Sequence, residues 1–259
     1  MSRVPFIVAL NTFRESVRDR VLYNLIFFAL LMIAAAVIVG KISIGIEHEV
    51  IINLGLTAIS FFGLVMAIFI GVGLVHKEME KRTLYSLLAK PVKRWEFLVG
   101  KYGGLLLTLV INTALMTAGV FAALFYVNHK LVRSDAQVLT AAYFILLQLA
   151  LATVIALFFS CFSTPMLSTV FTLGFYIAGT FASDIRGIGA LTGSLALKIA
   201  STGVYYLLPN FGNFNIIAAT AHGDAIPKSL IALNTIYAAI YIGAVLLAAS
   251  AIFSNRNLK

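Results

Sequence analysis

Six long apolar runs, separated by polar links, dominate the chain: 21–40, 51–75, 102–127, 137–160, 165–183 and 229–253. A hydrocarbon core about 30 Å thick is crossed by roughly 20 apolar residues in helical form. Strands of a membrane barrel would instead show alternating segments of about 10 residues. The pattern predicts an all-α integral membrane protein with six transmembrane helices. Between the second and third runs lies one charged island, residues 76–101, in which ten of the 26 residues are Lys, Arg, Asp or Glu.

The remaining links are less polar. Residues 5–20 place Phe6, Ala9, Leu10, Phe13 and Val17 at spacings of three and four, with Arg14, Arg18, Asp19 and Arg20 opposite. This predicts an amphipathic helix with Pro5 at its start. It lies in the headgroup plane or extends the first span towards the water. The link 160–164 is very short and ends at Pro165, so the fourth and fifth spans form a hairpin. Residues 184–228 are apolar but interrupted by glycines, Lys198 and Pro209-Asn210. They read as a pair of helices dipping into the outer leaflet and returning, or, with 187–208 continuous, as a seventh span.

Composition agrees with a membrane class. Of 259 residues, 61% are hydrophobic and 11% charged, with a mean hydropathy of +1.00. Soluble domains have about 45–50% apolar and about 25% charged residues. The chain is expected to be a single membrane domain, 1–259. Its first apolar run is too long for a cleavable signal and lacks an obvious cleavage site, so it is expected to remain a span.

The net charge of +9 is distributed unevenly. Thirteen of the 19 Lys and Arg fall in the N-terminal stretch, the island and the C-terminal tail, which alternate onto one side of a six-span layout. The positive-inside bias makes that side, and both termini, cytoplasmic. The charge suits anionic lipid headgroups; no basic cluster has a folded domain on which to bind nucleic acid. The single cysteine, Cys161, excludes an internal disulfide and reads as a small packing residue.

The candidate chemistry narrows the class. Gly40-Lys41 and Gly100-Lys101 lack the upstream glycine and following hydroxyl of a phosphate-binding loop. His48, His76, His129 and His222 are scattered, and no metal-ligand spacing occurs. No catalytic residues, cofactor or metal are expected in this chain. No ionisable residue lies deep in a predicted span, whereas ion-driven carriers ordinarily place such groups there. Gly193-Ser194 and His222 offer only a weak match to an intramembrane protease.

Within the island, Met79, Leu84, Leu87 and Leu88 make an apolar stripe, and Glu78 precedes Arg82 by four. Pro91 ends the run. A second short helix begins near Val92 or Lys93 and leads through Trp95 and Phe97 into the third span. On pattern alone this is a partner-docking surface or a solvated loop.

The string from Glu80 to Lys101 resembles the segment after the second span in type-2 ABC transporter permeases. There an acidic residue, Thr, two Leu, Pro-Val, a basic residue, an aromatic and Gly-Lys recur; Glu80, Thr83, Leu87-Leu88, Pro91-Val92, Arg94, Trp95 and Gly100-Lys101 match them. The resemblance implies an elbow helix at 5–20, a cytoplasmic coupling segment at 76–100 and an outer re-entrant segment at 184–228. It implies an exporter permease in a bacterial-type inner membrane, paired as a homo- or heterodimer and carrying two ATPase subunits that hold ATP and Mg. Docking is expected at Glu78, Glu80, Arg82, Thr83, Leu87, Pro91 and Arg94. By the same analogy, the second and fifth spans line the path through Thr57, Ser60, Ser168, Thr172 and Tyr176. Two alternatives stand beside it: a scaffold coupling a cytoplasmic ATPase to a mechanical task, which the island would serve equally well, and an intramembrane lipid-modifying enzyme, for which the sequence shows no convergent polar side chains at one depth.

Overall fold

The structure is a computed structural model that describes residues 4–43, 45–80, 94–130, 132, 135–191 and 195–255. It is all-helical, with ten α-helices among these residues. In chain order they are α1 (Val4–Val17), α2 (Arg20–Ile42), α3 (Glu47–Glu80), α4 (Arg94–Asn128), α5 (Ala136–Ser160), α6 (Pro165–Thr180), α7 (Ala182–Leu191), α8 (Leu195–Leu207), α9 (Ile217–Ala221) and α10 (Lys228–Asn255). A 3₁₀ turn, Phe211–Phe214, precedes α9. Five helices are long and apolar enough to cross a membrane: α2, α3, α4, α5 and α10. The pair α6 and α7, bent by 57° at Phe181, makes a sixth if counted as one span.

Local chemistry explains the boundaries. Asp19 separates α1 from α2, its side chain accepting from Val21 N at 3.1 Å as an N-cap. Pro165 opens α6, where a missing N–H costs nothing. The expected short helix after Pro91 and the third span are one continuous helix, α4, from Arg94 onward. At 1.5 Å per residue, 34 residues in α3 and 35 in α4 give helices about 50 Å long. Both exceed a hydrocarbon core of about 30 Å, and α3 ends and α4 begins on either side of residues 81–93.

The bundle is built around α5. Of its apolar window, 78% is buried, against 22% for α2 and 11% for α10. α5 is apolar on every face, as a central helix must be. α3 packs on it, and a Cβ added at Gly63 would stand 2.6 Å from Leu149 Cδ1 and one at Gly71 2.9 Å from Ala156 Cβ. Small residues here let the two backbones approach, since association inside lipid depends on close packing.

α1 lies along the start of α4. A Cβ at Gly100 would stand 2.8 Å from Pro5 O, and one at Gly104 2.4 Å from Ala9 O. Gly100 and Gly104 are one turn apart, a small-xxx-small seam that admits α1's backbone. Lys101, only 2% exposed, sits in the same seam with its Nζ 3.9 Å from Glu15 Oε2.

Residues 187–208 are not one continuous helix. Gly189 lies against Ser201, whereas twelve residues of a single helix would separate them by about 18 Å. α7 and α8 therefore form a hairpin, with Arg186 stacked over the Tyr205 ring at 4.8 Å. Beyond it, residues 208–216 are largely non-helical. Backbone of that kind needs polar partners in an apolar setting, and α10 supplies them. Asn210 N donates to Tyr237 Oη at 3.0 Å, Tyr241 Oη donates to Leu207 O at 3.0 Å, and Asn234 Nδ2 donates to Asn213 O at 3.3 Å.

Candidate functional site

One face of α3 carries Asn53, Thr57, Ser60 and Leu64, at helical spacings of four, three and four. Opposite stand Tyr176 and Thr180 of α6, while Gln148 of α5 forms the floor. The 3₁₀ turn and α9 close the remaining side with Phe211, Asn215, Ile217 and Ala218. Together they enclose a cleft of about 340 Å³. At 1.5 Å per residue, Gln148 lies about 18 Å along α5 from Ala136, close to mid-span for a core of about 30 Å.

The wall is held in register by contacts between elements. Gln148 Nε2 donates to Tyr176 Oη, and Ser60 also bonds to that hydroxyl. The Tyr176 ring leans on Phe211 with centroids 4.9 Å apart. Phe211 is pressed into place because Gly179 leaves no side chain in the way: a Cβ there would be 2.3 Å from Pro209 O and 2.8 Å from the Phe211 ring. The broken segment after α8 is therefore part of the cleft wall.

The five expected path residues divide. Thr57, Ser60 and Tyr176 meet in the cleft. Ser168 and Thr172 share the Tyr176 face of α6, at intervals of four, but are not among its lining residues. Both are buried, with Thr172 Oγ1 donating to Ser168 O at 2.7 Å. Sequence reasoning missed Gln148, Asn53, Thr180 and Asn215. The available signal for Gln148 was a lone amide in the middle of an otherwise apolar span.

Of the expected docking residues, Glu78 and Glu80 fall in the last turn of α3, and Arg94 begins α4. Arg82, Thr83, Leu87 and Pro91 lie outside the described residues.

At the end of the cleft away from α3's over-length end, a second cavity shares Asn53 and is edged by Glu49 and His222. His222 Nδ1 and Glu49 Oε2 are 3.2 Å apart. Nearby, His48 Nε2 is 3.3 Å from Asp135 Oδ1, and its Nδ1 is 3.1 Å from Asn128 Nδ2. An amide nitrogen can only donate, so Nδ1 accepts and Nε2 faces the carboxylate. These carboxylate partners are far away in sequence, which is why scattered histidines gave no hint of them. Among the described residues, no group of three His, Cys, Asp or Glu converges as a metal site would require. Cys161 is a buried free thiol, Sγ donating to Leu157 O at 3.2 Å.

A bundle of five or six apolar membrane-length helices around a cleft lined by amides and hydroxyls defines a membrane-embedded protein. Residues 6–257 match the family model of the ABC-2 family transporter proteins. The chain belongs to that family, and is a non-catalytic membrane permease subunit of an ABC transporter. Compared with curated proteins, the sequence has no significant match.

Proposed function

We propose that this permease is the membrane half of an ATP-driven exporter in a bacterial-type inner membrane, with both termini in the cytoplasm. ABC-2 permeases pair with an ATPase subunit. In this reading two permease chains, identical or different, carry two ATPase subunits, which hold ATP and Mg. Residues 76–101 are the gripping segment, with Glu78, Glu80, Arg82, Thr83, Leu87, Pro91 and Arg94 at the contact. What supports the reading is the match of residues 6–257 to the ABC-2 family, together with the length of α3 and α4, whose ends border residues 81–93. α1 acts as the elbow: seated in the Gly100–Gly104 seam, it moves with the start of α4. The α7–α8 hairpin forms the outer re-entrant element.

The cleft between α3, α5 and α6 is one stretch of the path, with Thr57, Ser60 and Tyr176 in its wall, and Ser168 and Thr172 continuing its polar stripe along α6. A polar cleft at mid-span favours transport over a purely mechanical scaffold. The test is a combined charge reversal, Glu80→Lys with Arg82→Glu. It is expected to abolish ATPase-subunit co-purification and permease-dependent hydrolysis while membrane insertion is unchanged. Full ATPase coupling in that variant would overturn the docking assignment.

A further inference from the structure

The cleft's lining specifies the class of molecule it can hold. Its volume, about 340 Å³, is at the lower end of the roughly 300–1,000 Å³ range of small-molecule sites. Its polar groups are amides and hydroxyls: Asn53, Asn215 and Gln148 from the first class, Thr57, Ser60, Tyr176 and Thr180 from the second. None of the lining residues is charged. Amides and hydroxyls offer both donors and acceptors. They can satisfy a neutral hydrogen-bonding group on any of its faces.

An ion would fare differently. At mid-span, surrounded by apolar helices, it would surrender its hydration and find no opposite charge among the lining residues, a desolvation cost that remains even in relaxed proteins. Glu49 Oε2 lies outside the cleft, in the second cavity that shares Asn53, and is taken up by His222 Nδ1 at 3.2 Å. The site also has an apolar side. Leu64, Ile217 and Phe211 line it, and Phe61, 60% exposed, stands at its open edge. A polar interior with an apolar lip fits a molecule having a small polar head and an apolar tail. Gln148 supports the head end: its side chain is nearly fully buried, and its bond to Tyr176 uses one of the four hydrogen-bonding positions of an amide.

We propose that this cleft binds the uncharged, hydroxyl- or amide-bearing head group of an amphiphile, whose apolar tail leaves past Phe61. The proposal rests on the cleft being part of the transport path. Binding is nevertheless measurable without transport, so the two claims can fail separately.

The experiment uses the full chain with its ATPase subunit in phosphatidylcholine nanodiscs and tritiated monooleoylglycerol, a neutral diol head on one acyl chain. Competitors share that chain but differ in head: oleate is anionic and oleyltrimethylammonium cationic. Free glycerol tests whether the head suffices alone. Saturable binding is expected, with both ions competing at least about tenfold more weakly than unlabelled monooleoylglycerol and glycerol competing weakly, because a site built for hydrogen bonds discriminates steeply. Gln148→Leu and, separately, Asn53→Leu at an exposed position of the same wall should each weaken binding several-fold. Thr169→Val, on the exposed side of α6, should not. Equal competition by either ion, wild-type binding in both leucine variants, or no saturable binding would overturn the assignment. Competition by glycerol as strong as by the acylated form would remove the tail from it. Co-purification of the ATPase subunit from the same preparation reports on the permease reading independently.

Discussion

Single residues decide where helices can touch. Gly104 is the sharpest case, because any side chain there meets backbone, Ala9 O at 2.4 Å, which cannot swing aside. Gly104→Val is expected to force α1 away from α4 and destabilise the protein by about 1–3 kcal/mol, the usual cost of overpacking. The measurement is thermal unfolding in detergent; an unchanged midpoint would show that α1 does not depend on the seam. Thr57, Ser60 and Tyr176 follow from the family resemblance rather than from any pattern in the spans, and the fold brings these three to one cleft. Gln148 was not legible in the sequence. A single amide carries no periodicity, and its meaning depends on α5 being the central helix.

Hydropathy does not reveal which helix is central. α2 is the most apolar span, at 2.7, yet is 22% buried in its apolar window, while α5, at 2.3, is 78% buried. In lipid, an apolar face is equally content against a neighbour or an acyl chain, so burial is decided by packing partners such as the α3 glycines. Segment 184–228 was readable as broken helix from its glycines and Pro209-Asn210. Its attachment was not readable, because Tyr237, Tyr241 and Asn234 of α10 reach back across some 20 to 35 residues of sequence to hold it. Tyr237→Phe removes the hydroxyl that receives Asn210 N. We expect a loss of about 1 kcal/mol from this one bond and faster hydrogen exchange at the Asn210 amide, read by exchange mass spectrometry. Exchange unchanged from wild type would mean that α10 does not hold the cleft wall.

At the scale of the whole molecule, run lengths alone foretold the five long apolar helices α2, α3, α4, α5 and α10. The run 165–183 is instead divided by a 57° bend between α6 and α7, so it is a further span only if that pair is counted as one. The division of labour follows from the same layout: the chain carries no phosphate-binding loop, its family pairs with an ATPase subunit, and α3 runs from Glu80 back to the cleft that its Asn53, Thr57, Ser60 and Leu64 line. The central claim is that events at residues 76–101 reshape the cleft. The direct test is the rate at which Ser60→Cys, in the complete complex, reacts with a water-soluble maleimide, Cys161 being fully buried. The account predicts a several-fold difference between nucleotide-free and ATP-trapped complexes, and loss of that difference when Glu80→Lys and Arg82→Glu are added. Equal labelling rates with and without ATP in the wild-type island would contradict it.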